Sequence, residues 1–241
     1  MRFLIVNDDG INAEGIKQLA KWALQYGEVT VVAPKFEQSG KSHAIDFINP
    51  IEIKRVEFME NVEAWSMAST PADCVRFGIF GLHRQYDYVL SGINRGTNMS
   101  GDIIYSGTMG AIFEAGNQHH KGIAFSTTPE NLEGASKYLD EAFNFIVNNN
   151  LFDYSELYNV NIPEKVKGIK ITKQGDGYFS DAFYKVDETT YTQHGEMIAD
   201  TNPGDHDRDS IAFADGFISV TPMTKERTDL VAFNNLKEKF N

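Results

Sequence analysis

Four apolar residues, Phe3 to Val6, run straight into Asn7, Asp8, Asp9 and Gly10. The stretch that follows, "INAEGIKQLAKWALQYG", sets Ile16, Leu19, Ala20, Ala23 and Leu24 at helical spacing and offers Gly27 as a C-terminal stop. "EVTVVAP" then reads as a β-branched strand closed by Pro34. Residues 3–34 therefore spell strand, helix, strand with short connections, the right-handed parallel unit that begins a doubly wound sheet.

Alternation of apolar and polar positions over 50–67, with a turn near Glu60 and Asn61, predicts a hairpin or antiparallel excursion. Next, "STPADCVRFGIFGLH" carries three agreeing helix-start signals: Thr70 as N-cap, Pro71 at the first helical position, and Asp73 three residues after the cap. "YDYVLSG" and "GIAFST" read as buried strands around a helical "SGTMGAIFEAGNQ". A single amphipathic helix is expected over "ENLEGASKYLDEAFNFIVNN", then a strand in "LYNVNIP". From about residue 168 the pattern changes to short polar strands with Gly turns, which suggests a protruding arm or small subdomain. "DRDSIAFADGFISVTPM" predicts a short helix and a strand, and "TDLVAFNNLKEKF" a final amphipathic helix. These last elements either return to the core or cross to another subunit.

Composition narrows the class. The 241 residues are 41% hydrophobic and 23% charged with no repeat, as in a globular enzyme. A net charge of −12 gives no basic field for a polyanion, so a nucleic acid duplex is not an expected partner. The single cysteine, Cys74, falls at an apolar position and reads as a buried thiol in a reducing compartment. No run approaches the roughly 20 apolar residues of a membrane span and no leader pattern precedes the first strand, so a cytoplasmic protein without membrane contact is expected.

Ligands of open parallel sheets bind outside the carboxyl ends of the strands. That rule gathers three polar loops: Asn7 to Gly10, "APKFEQSGKS", and "SGINRGTNMSGDIIYSGT". Asp8 and Asp9 repel each other unless solvent or a cation intervenes. They admit two readings. Asp9 or Asn12 caps the following helix, or the pair forms the anionic half of a site for a hard divalent cation, completed by the Ser39 hydroxyl and the Asn94 carbonyl. Ser106, Gly107 and Thr108 open a predicted helix and place N–H groups and hydroxyls where an anion docks; plain N-capping by Ser106 or Thr108 is the alternative. "SGKS" (39–42) is no Walker-A loop, because the earlier Gly is missing and no helical pattern follows. The six histidines show no zinc-ligand spacing, and "DHDRD" (205–209) reads as a solvated cap.

Several of these segments together resemble the SurE survival-protein family of metal-dependent nucleoside-monophosphate phosphatases. The matching stretches are "NDDGINAEGI", "VVAPKFEQSG", "STPADCV", "DYVLSGINRGTNMSGDIIYSGTMGA", "NVNIP" and "DSIAFADGFISVTPM", in family order from residue 3 to about 223. The resemblance implies a Rossmann-like α/β core, with a mostly parallel sheet and helices on both faces, over residues 1–167. It also implies a β-rich arm, return strand and C-terminal helix over 168–241 of the same structural unit, with a projecting hairpin and a C-terminal arm exchanged between subunits of a homodimer or homotetramer.

The implied site has Asp8, Asp9, Ser39 and Asn94 around one Mg²⁺ or Mn²⁺ per subunit, with Gly40, Asn98, Ser106, Gly107 and Thr108 on the phosphate side. Asp8, Asp9 and Asn98 are the expected catalytic residues. The implied reaction is hydrolysis of 5′- and 3′-nucleoside monophosphates by metal-activated water. Three positions depart from the family pattern: Val6 where Thr or Ser is usual, Ser69 where Gly is common, and Asp46 where Thr is typical. None is a proposed ligand. An aspartyl-phosphate mechanism would need an Asp where Asn7 stands, and a nucleotide-sensing module using the same site without turnover is the non-enzymatic alternative.

Overall fold

A computed structural model describes residues 1–240. Its centre is a nine-stranded sheet built from β1 (Arg2–Val6), β2 (Glu28–Pro34), β3 (Ile53–Val56), β4 (Val62–Met67), β5 (Tyr88–Arg95), β6 (Lys121–Thr127), β7 (Leu157–Ile162), β8 (Gly168–Ile171) and β11 (Phe217–Met223). The order is β3-β4-β2-β1-β5-β6-β7-β11-β8. Within this sheet only β3 against β4 and β11 against β7 pair antiparallel among the described residues. The expected hairpin over 50–67 is present as β3 and β4, and β4 joins the sheet parallel to β2.

Alternation within β1 decides which face each helix covers. Phe3 and Ile5 face a core shared with α1 (Glu14–Ala23), α4 (Leu132–Ser136) and α5 (Leu139–Asn148). Leu4 and Val6 face a second core with Cys74 and Val75 of α2 (Pro71–Arg76) and Ala111 and Ala115 of α3 (Gly107–Asn117). Helices therefore lie on both faces, as expected. Val6 is fully buried in the second core, which accommodates an apolar residue at that departure from the family pattern.

Three local expectations need correction. α1 ends at Ala23 with Leu24 donating its N–H to Ala20, so Gly27 belongs to the turn into β2 and does not stop the helix. The single helix expected over 130–149 is two helices. Lys137 and Tyr138 donate to Gly134 and Ala135 in tight i to i−3 bonds, and Tyr138 takes φ −105° and ψ 1°, after which Ala142 restarts the α pattern by bonding to Tyr138. Apolar spacing survives across that break, because both helices feed the same core. The long loop expected after "YDYVL" is also shorter than predicted, since β5 continues through Arg95 and a 3₁₀ turn covers Ser100–Tyr105.

The C-terminal segment divides between core and arm. β8 and β11 complete the main sheet, whereas β9 (Tyr178–Lys185) and β10 (Tyr191–Ile198) pair with each other as the projecting hairpin. α6 (Asp209–Ala214) leads into β11, and α7 (Leu230–Phe240) exposes Leu230, Val231, Phe233, Leu236 and Phe240. The "DHDRD" run is solvated only in part: His206 and Asp207 are exposed, whereas Arg208 and Asp209 are tied inward. Arg208 pairs with Asp200 at 2.6 Å and Asp176 at 2.8 Å, and the fully buried Asp209 accepts N–H bonds from Ser100 at 3.0 Å and Gly175 at 2.9 Å. Charge spacing alone does not distinguish an exposed cluster from this buried stitch between distant loops.

Thr70 serves two contacts at once: Oγ1 accepts from the Asp73 N–H at 3.2 Å and donates to the Ala44 carbonyl at 2.6 Å. Thr70→Ala removes the helix cap and the tie to the 35–46 loop, and is expected to cost about 1–2 kcal/mol, read as a lower urea midpoint at unchanged m.

Candidate active site

The chain order reverses beside β1. β2 and β4 lie on one side of it and β5, β6 and β7 on the other, so the crevice between the carboxyl ends of β1 and β5 is the topological switch point. Asp8 and Asp9 leave the end of β1, and Asn94 lies near the end of β5. The turn after β1 is closed by Asn7, whose side chain donates to Gly10 O at 2.9 Å and accepts the Gly10 N–H at 3.2 Å. Gly10 adopts φ +100°, a conformation that a side chain would strain. Asn7 is thus fully buried and occupied in the turn, which leaves no Asp at the position an aspartyl-phosphate mechanism needs.

The capping reading of the acidic pair does not hold. The N-cap of α1 is Ala13 and it receives no side-chain cap bond, so neither Asp9 nor Asn12 caps that helix. Asp8 instead meets the N-terminus of α3: Thr108 Oγ1 donates to Asp8 Oδ1 at 2.6 Å. At Gly107 a Cβ would come within 2.9 Å of the Asp8 Cβ, so only glycine permits this approach. Ser106 is the cap of α3, its Oγ accepting the Met109 N–H at 3.1 Å. The second loop is tied in by Gln38, which donates its N–H to Asp8 O at 2.7 Å. Asp9 Oδ2 accepts the Arg95 N–H at 3.4 Å.

Electrostatically the pair is only partly compensated, by Arg95 beside Asp9 and by no cation beside Asp8. Burial pushes the Asp8 carboxyl up to about 6, the Thr108 hydroxyl pulls it back, and the neighbouring Asp9 raises it again. Asp9 is also raised, by burial first and by Glu37, against lowering from the N–H and charge of Arg95. The available donors are all oxygens: two carboxylates, the Ser39 hydroxyl, and Asn94 Oδ1, which is turned free because Nδ2 donates to Gly96 O at 2.7 Å. This set fits a hard divalent cation such as Mg²⁺ or Mn²⁺. Among the described residues no three His, Cys, Asp or Glu side chains gather in a metal-ligating group, so such a cation would rely on neutral oxygens beside the two carboxylates.

The candidates are not all drawn into one contact network. Asp8, Gly107 and Thr108 touch. Ser39 is exposed and donates to Glu37 at 2.6 Å, and Gly40 turns at φ +70° with open space beside it. Asn98 is held from behind: its N–H donates to Asn161 Oδ1 at 2.9 Å, its carbonyl accepts from Asn159 at 2.7 Å and Asn161 at 3.0 Å, and its Nδ2 donates to Ser126 at 2.9 Å. Asn159, Asn161 and Ser126 are fully buried supports that the sequence reading passed over. The signal was present in "LYNVNIP", where two Asn at i and i+2 share one face of a wholly buried strand.

Two further contacts shape the 35–46 loop. His43 Nε2 lies 2.8 Å from Glu114 Oε2, and Arg76 donates to Glu114 Oε1 at 2.9 Å, so Glu114 of α3 links the loop to α2. Asp73 accepts from Ser69 Oγ at 2.5 Å and from the Asp46 N–H at 2.8 Å, while the Asp46 carboxylate accepts the N–H groups of Ile48 and Asn49. The departures at Ser69 and Asp46 therefore shape the loop and leave the candidate oxygen donors in place.

Residues 3–181 match the family model described as Survival protein SurE. The chain is 36% identical over 249 residues to a protein of Clostridium botulinum (strain 657 / Type Ba4) named 5′-nucleotidase SurE, covering 99% of this chain and 97% of that one. It is 37% identical over 252 residues to the protein of the same name from Pseudothermotoga lettingae, covering 99% and 94%. Its fold superposes on the crystal structure of the SurE protein from Aquifex aeolicus with a TM-score of 0.82 at 30% identity over 100% of both chains. This chain, with its Asp8–Asp9 pair at the switch point, belongs to the SurE family.

Proposed function

We propose that this chain is a divalent-cation-dependent phosphatase that hydrolyses 5′- and 3′-nucleoside monophosphates to nucleoside and phosphate. The observation that carries the reading is the meeting of a buried, only partly compensated acidic pair with the N-terminus of α3 at the switch point, in a chain whose relatives are named 5′-nucleotidases. Asp8, Asp9, Ser39 and Asn94 would hold one Mg²⁺ or Mn²⁺. When bound, the cation supplies Lewis-acid polarisation of a phosphoryl oxygen and activation of a water.

The chain's own groups would do the rest. Asp9, the more accessible of the pair, would accept the water proton. Asn98, Gly40 and the N–H and hydroxyl groups of Ser106, Gly107 and Thr108 would hold the phosphoryl oxygens, where the α3 dipole favours the negative charge that grows in the transition state. Thr108 would keep one Asp8 oxygen fixed while the other faces the cation. Exposed apolar residues on α7 and on the β9–β10 hairpin suit packing against a second copy, in a homodimer or homotetramer exchanging its C-terminal arm.

Stripping metal and restoring Mg²⁺ or Mn²⁺ is expected to switch phosphate release from nucleoside monophosphates off and on. Release from no nucleotide with any divalent cation would leave the sensing module as the surviving alternative. Asp9→Asn is expected to lower kcat/KM about a hundredfold or more, and full activity in that variant would refute the site assignment.

The raised Asp8 carboxyl has a second consequence. Between the unfolded value near 3.8 and the folded value of about 6, the metal-free native state holds a proton that the unfolded chain has released. Stability from this group therefore falls as pH rises through that window, by an amount on the order of 3 kcal/mol. In chelator, Asp8→Asn is expected to gain stability relative to wild type from pH 4.5 to 7, measured by urea unfolding, and added Mg²⁺ is expected to close the gap.

A further inference from the structure

Glu114 is a buried carboxylate to which the proposed chemistry gives no task. It lies on α3 nearly two turns beyond Thr108, about 9 Å along the helix axis. Burial alone would raise its carboxyl, but bonds from His43, Gln118 and Arg76 outweigh that effect and hold it down at about 2, so the group is ionised at neutral pH. Gln118 and Arg76 share Oε1 at 2.9 Å each, and Oε2 is left to His43 at 2.8 Å.

His43 stands just downstream of the turn that carries Ser39 and Gly40. Lys41 donates its N–H to Gln38 O at 3.3 Å, which closes that turn with Ser39 and Gly40 at its tip, and Gly40 takes φ +70° there. Upstream, Gln38 is fastened to Asp8 O. Downstream, Ser42 stands at φ +53°, a conformation that its Cβ disfavours, with its N–H on Tyr105 O at 2.9 Å and its Oγ on Ile104 O at 2.7 Å. Its carbonyl passes so close to Gly110 of α3 that a Cβ there would collide with it. The His43–Glu114 contact follows at the next residue and keeps this disfavoured stretch against α3. The ties from Thr70 to Ala44 and from Asp73 to Asp46 fasten the loop to α2 instead.

The same helix fixes Asp8 through Gly107 and Thr108. Its first turn therefore holds a carboxylate of the candidate cation set, and Glu114 holds the far end of the turn that bears the Ser39 hydroxyl. We propose that Glu114 is a positioning residue: through His43 it sets where the Ser39 turn stands relative to Asp8, and so sets the affinity of the site for Mg²⁺ or Mn²⁺. The proposal rests on the cation set given above and adds to it what keeps the neutral donor in place. A small hard cation demands near-ideal placing of its oxygens, so a donor on a loosened turn weakens its binding.

The test measures Mn²⁺ binding to the full chain without substrate, read from the electron paramagnetic resonance of the free ion. Wild type is compared with His43→Ala, Glu114→Gln, Ser39→Ala and the double variant of His43→Ala with Ser39→Ala. His43→Ala and Glu114→Gln are each expected to raise the Mn²⁺ dissociation constant on the order of tenfold. In hydrolysis of adenosine 5′-monophosphate the same loss is expected in the Mn²⁺ concentration for half activation and not in kcat at saturating Mn²⁺. On the Ser39→Ala background His43→Ala is expected to cost nothing further, because the donor that it places is already gone. His43 is partly exposed, so His43→Ala decides the matter if Glu114→Gln fails to fold. An equal loss on both backgrounds, or no loss in His43→Ala, would overturn the positioning role while the cation reading stood. Mn²⁺ binding by Ser39→Ala as tight as by wild type would remove Ser39 from the set and the role with it, leaving the acidic pair. Absence of Mn²⁺ binding by wild type would refute both.

Discussion

Asp8 is buried at the end of a parallel strand beside a second carboxylate, and no cation of the chain offsets its charge. That arrangement is unfavourable by itself, and the surrounding structure holds it in place. Thr108 hydrogen-bonds one oxygen, Gly107 lets the α3 backbone come close enough for that bond, and Gln38 ties the second loop to the same residue through its carbonyl. The sheet order supplies the setting, because only where it reverses do two neighbouring strands send their following loops apart and leave a crevice between them. An acidic pair held in that crevice favours a cation for the same reason that it repels itself.

Around this centre the polar groups work in layers. Asn7 closes the turn that presents the pair, and Asn159, Asn161 and Ser126 fix Asn98 from within the sheet. Thr70, Asp73 and the His43–Glu114–Arg76 group hold the 35–46 loop against α2 and α3. Farther out, Asp209 joins the Ser100 turn to the segment entering the hairpin. The buried polar groups around this centre have partners from distant parts of the chain, as Asp8, Asn98 and Asp209 show, so loops rich in Gly and Ser acquire fixed positions without apolar packing.

Several elements were legible in the sequence because their causes are local. The Thr70–Pro71–Asp73 helix start appears as read, with the cap bond in place. Phe3, Leu4, Ile5 and Val6 all lie in the core, split between its two faces by strand alternation. The three loops that carry the candidate residues follow adjacent strands, as the switch-point rule requires. Where the reading failed, the cause was tertiary: the two helices at 132–148 share one apolar stripe across a break, and within "DHDRD" Asp209 is buried and Arg208 paired by segments far away in the chain.

By itself the sequence determined the parallel α/β class, the placing of Asp8 and Asp9 just beyond the first strand, of Asn94 and Asn98 at and beyond the end of β5 and of Thr108 at a helix start, and the family resemblance, since these depend on residue type and short-range period. Whether Asp9 caps a helix, whether Asn98 is supported, and how the Ser39 turn is tied to α3 through His43 and Glu114 were decided only by the tertiary structure. Each of those outcomes depends on groups many residues apart meeting within hydrogen-bond distance. Local pattern carries no information about such meetings, and the strand order that produces them follows from the packing of the whole chain.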